Sequence, residues 1–184
     1  MSYRPICDVW ILARSKVKYY GAYPAGFLHR ARALLGVGVD GAVLHVCGGR
    51  VRDYPFRGLG SNDCTLDLDP ACSPDFLQDC REALPLRVPP GADPTYGKFW
   101  DAVLIDRPYT PADADHYAPT SSALPDLNDL LKRSLAVVPV GHRVGVLDYS
   151  WPHPGKFGQE VAVVGVGTGR NNRCRWYTVF ERIA

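Results

Sequence analysis

The sequence predicts an α/β fold, with a mostly parallel central sheet and a C-terminal antiparallel hairpin. Three observations predict it. Short apolar runs of strand length end on glycines or acids, as buried parallel strands do. Segments of helical spacing lie between several of them, the mark of crossover connections. At the C-terminus, Glu160 to Gly167 and Arg175 to Arg182 alternate around the turn Thr168-Gly169-Arg170-Asn171-Asn172. With 184 residues, no internal repeat and no long linker, residues 1–184 are expected to form a single domain.

The elements follow in order. Ile6 to Leu12 reads as a strand, and Tyr19 to Gly26, rich in Tyr, Gly and Pro, as a loop. Phe27, Leu28, Ala31, Leu34 and Leu35 recur at helical spacing, with Gly36 as the stop. Ala42 to Cys47 is a continuous apolar strand ending on Gly48-Gly49. Cys64 to Pro70 is a second short strand closed by acids. Asp75 to Ala83 reads as a short helix or turn, followed by a Pro/Gly-rich connection from Leu84 to Gly97. Trp100 to Ile105 is a strand ending on Asp106. Thr110 to Pro125 reads as a loop, placed to act as a lid, with Tyr117 inside it. Leu124 to Leu135 has helical spacing, and Arg143 to Tyr149 is another central strand.

Composition narrows the function classes. Hydrophobic residues make up 46% and charged residues 22%, ordinary globular usage. No apolar run approaches the ~20 residues of a membrane-spanning helix. The N-terminus lacks the order of a signal peptide, so a cytoplasmic protein is expected. The six cysteines show no Cys-x-x-Cys spacing; most of them read as small buried hydrophobes, with neither a disulfide framework nor a metal site. The net charge is only +2, but it is unevenly placed. Residues 1–32 carry six basic groups against Asp8 and residues 170–184 four against Glu181, whereas 63–115 hold eleven acids and four bases. This pattern reads either as separated fields, one face of which can meet an anion, or equally as charges scattered over a solvated surface.

Ligands of open α/β sheets bind at the carboxyl ends of the strands, near the topological switch point. Three expected strands end there in chemically useful residues: Cys47-Gly48-Gly49, Asp67-Leu68-Asp69 and Asp106-Arg107-Pro108-Tyr109. Glycines admit a close backbone approach, and an acid about twenty residues beyond them suits a ribose diol.

Asp106-Arg107-Pro108-Tyr109 after an apolar strand resembles the Asp-Pro-Pro-Tyr motif of S-adenosylmethionine-dependent amino-methyltransferases of nucleobases. Nearly the whole chain resembles that family's pattern. The resemblance implies a Rossmann-like class I methyltransferase fold and S-adenosyl-L-methionine as cofactor. In Tyr23-Pro24-Ala25-Gly26-Phe27 it implies that Tyr23, Pro24 and Phe27 lie near the methionine end of the cofactor. Val43 to Gly49 looks like the first motif, bringing His45, Cys47, Gly48 and Gly49 to the cofactor. Asp67, followed by Leu68, would hold the ribose hydroxyls, and Asp79 beside Cys80 would meet the adenine amino group. Val138 to Val144 is similar to the family's Lys-Pro-Gly-Gly turn. Asp106 and the carbonyl of Arg107 would accept the hydrogens of the target amine, and Tyr109, held after Pro108, would stack on the base.

The chain departs from that pattern in three places. Arg107 replaces the first proline, the glycine loop is reduced, and His45 stands where the family often has an acid. His45 reads more readily as a histidine satisfied inside a strand than as a catalytic group, and Arg107 as a group that pairs with a substrate anion. Nothing resembles an inserted target-recognition domain, so long-sequence specificity would call for a homodimer or a recognition partner. Arg170, Arg173, Arg175 and Trp176, with the Tyr117 loop, are the expected contacts to nucleic acid. The expected function is methyl transfer to an exocyclic amino group of a nucleobase in DNA or RNA. A non-catalytic binding module of the same fold, and methylation of a small molecule, stand as alternatives.

Overall fold

A computed structural model describes residues 4–13, 23–53, 59–87, 98–117, 124–168 and 174–184. Its strands are β1 (Ile6–Leu12), β2 (Val43–Val46), β3 (Cys64–Asp67), β4 (Phe76–Leu77), β5 (Ala102–Ile105), β6 (Arg143–Asp148), β7 (Gly158–Thr168) and β8 (Cys174–Arg182). The helices are α1 (Phe27–Leu35), α2 (Pro111–Tyr117) and α3 (Leu127–Ala136). The strands form one eight-stranded sheet in the order β1-β7-β8-β6-β5-β2-β3-β4. Every pairing is parallel except those of β8 with β6 and β7. This is the mostly parallel sheet with a terminal hairpin that the patterning indicates.

Two apolar layers flank the sheet. α1 turns Phe27, Leu28, Ala31 and Leu35 onto one face, where they meet Val43, Leu104, Leu147 and Tyr177. It ends at Gly36, whose left-handed φ of 72° closes the last turn. α3, capped by the Asp126 carboxylate on the Asp129 amide, covers the other face. There Leu130, Leu131 and Leu135 pack on Val103, Ile105, Val144 and Val146. Among the described residues, the connections from β2 to β3 and from β6 to β7 carry only 3-10 turns.

One expectation is narrowed and another corrected. Asp75 to Ala83 contains no helix: of the two readings the turn holds, closed by the Glu82 amide on the Asp79 carbonyl, and before it Phe76–Leu77 pairs with Leu66 and Asp67. The cause is local: one oxygen of Asp75 accepts the Thr65 amide at 2.7 Å and the Thr65 hydroxyl at 3.2 Å, pinning the chain alongside β3. The stretch from Thr110 to Pro125 opens with α2 rather than running as a loop. Thr110 and Asp113 form a reciprocal capping box, and Pro111 sits at the first helical position.

The chain proceeds outward from β2 to β3 and β4, then returns to β5 on the other side of β2. The carboxyl ends of β2 and β5 therefore bracket the switch point, tied by the Asp106 amide on the Val46 carbonyl.

Candidate active site

Asp106 leaves β5 at this switch point. Its Oδ1 accepts the Tyr109 hydroxyl hydrogen, while its second oxygen takes no hydrogen bond among the described residues. Burial pushes its carboxyl up to about 7, with the nearby Asp148 adding and Arg175 and the Tyr109 bond opposing. The same burial, with the neighbouring Asp106 charge, pushes the Tyr109 phenol well above its ordinary value. The Tyr109 ring meets Tyr149 edge-on with centroids 4.8 Å apart.

Arg107 turns inward. Its Nε lies 3.0 Å from Oδ2 of Asp148 at the end of β6, and Nη1 donates to the Pro108 carbonyl. Both partners are buried, yet Nε and Oδ2 are not aligned for a hydrogen bond. Burial raises the Asp148 carboxyl, partly offset by the Ser150 amide and by Arg107. Asp148 is a functional candidate that sequence reasoning missed. The signal was an acid ending a central strand, the same one that marks Asp67 and Asp106.

On the β2 side, Cys47 adopts a positive φ of 56°, uncommon for a residue with a Cβ, and Gly49 one of 52°. The Gly49 amide donates to Oδ2 of Asp67 at 2.8 Å, and the Asp69 amide to Oδ1 at 3.0 Å. Each Asp67 oxygen thus receives one backbone hydrogen. Gly48 donates to the Leu66 carbonyl, and Leu68 is partly exposed beyond the strand end. The Cys47 thiol donates to Cys80 Sγ at 3.7 Å; that bond and burial push it up. Asp79 is engaged by Arg81, whose hydrogen bonds hold its carboxyl below the usual range.

Other expected site residues lie deeper or elsewhere. Tyr23 and Phe27 stack on each other, centroids 5.2 Å apart, inside the α1 core, with Pro24 buried between them in sequence. His45 is buried in mid-strand, with Nε2 3.2 Å from the Asp63 carboxylate. Tyr117 ends α2. Arg170 and Arg173 lie outside the described residues. Arg175 donates from Nη1 to the Tyr109 hydroxyl at 3.1 Å. Trp176 packs against Trp151, centroids 5.6 Å apart. Trp151, Arg107, Asp126, Asn128 and Ser150 line a cleft of about 360 Å³ beside the motif.

No protein-family model matches the chain, and no curated protein matches it significantly in sequence. Solved structures do match in fold. TrmN from Thermus thermophilus superposes with a TM-score of 0.56 at 17% identity, over 85% of this chain and 48% of that one. The candidate methyltransferase yhhF from Escherichia coli gives 0.59 at 10% identity, over 92% of each chain. Geranyl diphosphate C-methyltransferase from Streptomyces coelicolor A3(2), in complex with Mg2+, geranyl diphosphate and S-adenosyl-L-homocysteine, gives 0.52 at 12% identity, over 85% of this chain and 77% of that one. The chain therefore has the class I methyltransferase fold, and it spans about half the length of TrmN. No helix among the described residues is long and apolar enough to cross a membrane.

Proposed function

We propose that the chain is a single-domain S-adenosylmethionine-dependent methyltransferase acting on an exocyclic amino group of a nucleobase in DNA or RNA. The observation that carries the reading is Asp106: a half-buried carboxylate at the switch point, with one oxygen held by Tyr109 and the other open to an amine. Support for the cofactor comes from Asp67, whose oxygens each keep acceptor capacity for a ribose diol after taking one backbone hydrogen. The turn through Cys47, Gly48 and Gly49 would lie against it, and those residues fit an adenosyl group. When bound, the cofactor supplies an electrophilic methyl on a sulfonium sulfur.

An exocyclic amine is a weak nucleophile because its lone pair is delocalised into the ring. Asp106 and the carbonyl of Arg107 would accept its two hydrogens and turn the lone pair out of the ring plane. As the nitrogen becomes cationic, the Asp106 carboxylate stabilises that charge and takes up the released proton. A carboxyl near 7 suits both tasks. The Trp151–Trp176 pair beside the cleft supports a planar acceptor, since indoles stack on bases whatever their sequence.

The test is transfer of a labelled methyl group to pooled DNA, RNA and small metabolites, with calorimetry for the cofactor. Asp106→Asn should reduce transfer by about 10²–10³-fold, because an amide neither carries the charge nor takes the proton, while cofactor affinity stays within a few-fold. Transfer to metabolites alone would replace the nucleobase by a small acceptor. Wild type and variant equally silent on every pool, with both binding cofactor, would leave a binding module.

A further inference from the structure

The terminal hairpin brings a cation to the proposed reacting carboxylate from far along the chain. β8 runs antiparallel to β6 with Trp176 opposite Asp148, so the start of β8 lies level with the carboxyl end of β6. Arg175 therefore faces the strand-end edge. Its Nη1 reaches the Tyr109 hydroxyl at 3.1 Å, its guanidinium carbon stands 5.8 Å from the Tyr109 ring centroid, and the same hydroxyl donates to Asp106. We propose that Arg175 is a positioning residue for the methyl transfer: through the Tyr109 hydroxyl it holds the Asp106 carboxylate in place and supplies its counter-charge.

The proposal rests on the reading above for the reaction, but the linkage itself is independent of the acceptor. The groups facing Asp106 are Tyr109 on its own loop, Arg175 from β8, Asp148 from β6 and the Cys47 thiol from the end of β2. Asp148 opposes ionisation, and Arg107, the other nearby cation, is paired with Asp148. Arg175 is left as the cation that favours the ionised carboxylate. Tyr109 is poised between them: its oxygen accepts from Arg175 and its hydrogen goes to Asp106, so the three form a directional chain. Lysine could supply the charge but not the guanidinium plane that lies over the ring.

The experiment has two arms. The first follows the Asp106 carboxyl by carbon-13 NMR across pH, with Asp106→Asn identifying its signal, in wild type, Arg175→Lys, Arg175→Met and Tyr109→Phe. Wild type should titrate near 7. Arg175→Met should raise the midpoint by about one pH unit or more, and Arg175→Lys by less. If Arg175→Met does not fold, the graded effect of Arg175→Lys and Tyr109→Phe decides the matter. An unmoved midpoint in every folded variant overturns the proposal. The second arm measures the pH profile of methyl transfer. In Arg175→Met, kcat should fall about tenfold or more near neutrality, with its acid limb displaced to higher pH and KM for the cofactor unchanged. A rise in KM with an unaltered acid limb would make Arg175 a binding residue and overturn its positioning role. If wild type transfers no methyl group, the functional reading fails, while the first arm still decides the Arg175–Tyr109–Asp106 linkage.

Discussion

Two buried arginine–aspartate clusters lie at opposite edges of the sheet. Arg32, from the last turn of α1, reaches Asp63 at the amino ends of β2 and β3, at 8% and 3% exposure; Arg107 and Asp148 sit at the carboxyl ends of β5 and β6, at 7% and 1%. Burial is the same, yet the partners differ. Arg32 donates to both Asp63 oxygens and to the carbonyls of Gly38 and Gly41, while Asp63 also accepts from Val43, Gly60 and His45. A Cβ at Gly60 would stand 2.6 Å from Arg32 Nη2, so the loop closes on the guanidinium only because that residue is glycine. Burial alone would raise the Asp63 carboxyl, but hydrogen bonds from His45, Arg32 and Gly60 outweigh it and hold it below its ordinary value. At the other edge Arg107 and Asp148 touch without alignment, and both Asp148 and Asp106 are displaced upward. Where hydrogen bonds saturate the carboxylate and the guanidinium, as at Asp63 and Arg32, the cluster supports a fold, although His45 Nδ1 takes no hydrogen bond among the described residues. Where carboxylate and guanidinium are left unaligned, charge stays ready for a ligand.

The largest effect that would break this comparison is on stability. Asp63→Ala leaves the Arg32 guanidinium without its counter-charge and should cost about 3–5 kcal/mol in urea unfolding. A loss below about 1 kcal/mol would show that the amino-edge cluster supports little. Replacing both partners sharpens the contrast. Arg107→Met with Asp148→Asn should change stability by no more than about 1 kcal/mol, because few other groups lose a partner. Arg32→Met with Asp63→Asn should remain destabilised by about 2–3 kcal/mol, since the carbonyls of Gly38 and Gly41 lose their donor and the single Asn oxygen serves only one of the Val43 and Gly60 amides.

A pH dependence comes next. Because the Asp106 carboxyl titrates near 7 when folded and about 4 when unfolded, the folded state holds the extra proton between those values. Asp106 therefore lowers stability as pH rises from about 4 to 7. Asp106→Asn should stabilise the protein by up to about 4 kcal/mol at pH 8 and hardly at all at pH 4, measured by thermal unfolding. Equal stabilisation at both would remove the displaced titration. The smallest effect concerns His45. His45→Gln should cost about 1 kcal/mol through the weakened bond to Asp63. Cofactor affinity should stay within twofold, and a tenfold loss in calorimetry would return His45 to the ligand site.

Local patterning determined much of this molecule. Apolar runs such as Ala42 to Cys47 and Trp100 to Ile105, too short for helices and closed by glycines or acids, read as buried strands and hold β2 and β5, and the alternation on either side of residues 168–172 reads as the antiparallel pair β7 and β8. Those patterns also place Gly48, Asp67 and Asp106 at strand ends, because a strand's last residue is a property of the adjacent sequence. The capping box at Thr110 is equally local, yet the Pro, Ala and Asp around it read as a loop, and the short helix α2 emerged only in the structure. Partners distant in sequence were not legible. His45 belongs to Asp63 because β2 and β3 pair in parallel at that register, and Arg107 turns inward because β6 ends on Asp148 beside it. Arg175 reads as an exposed hairpin contact until the antiparallel register of β8 on β6 carries it 66 residues back to the Tyr109 hydroxyl. Strand register and burial set which charges meet, and both arise only when the sheet assembles; so the sequence determined which groups lie at the strand ends, and tertiary structure decided which of them are neutralised and which are left poised.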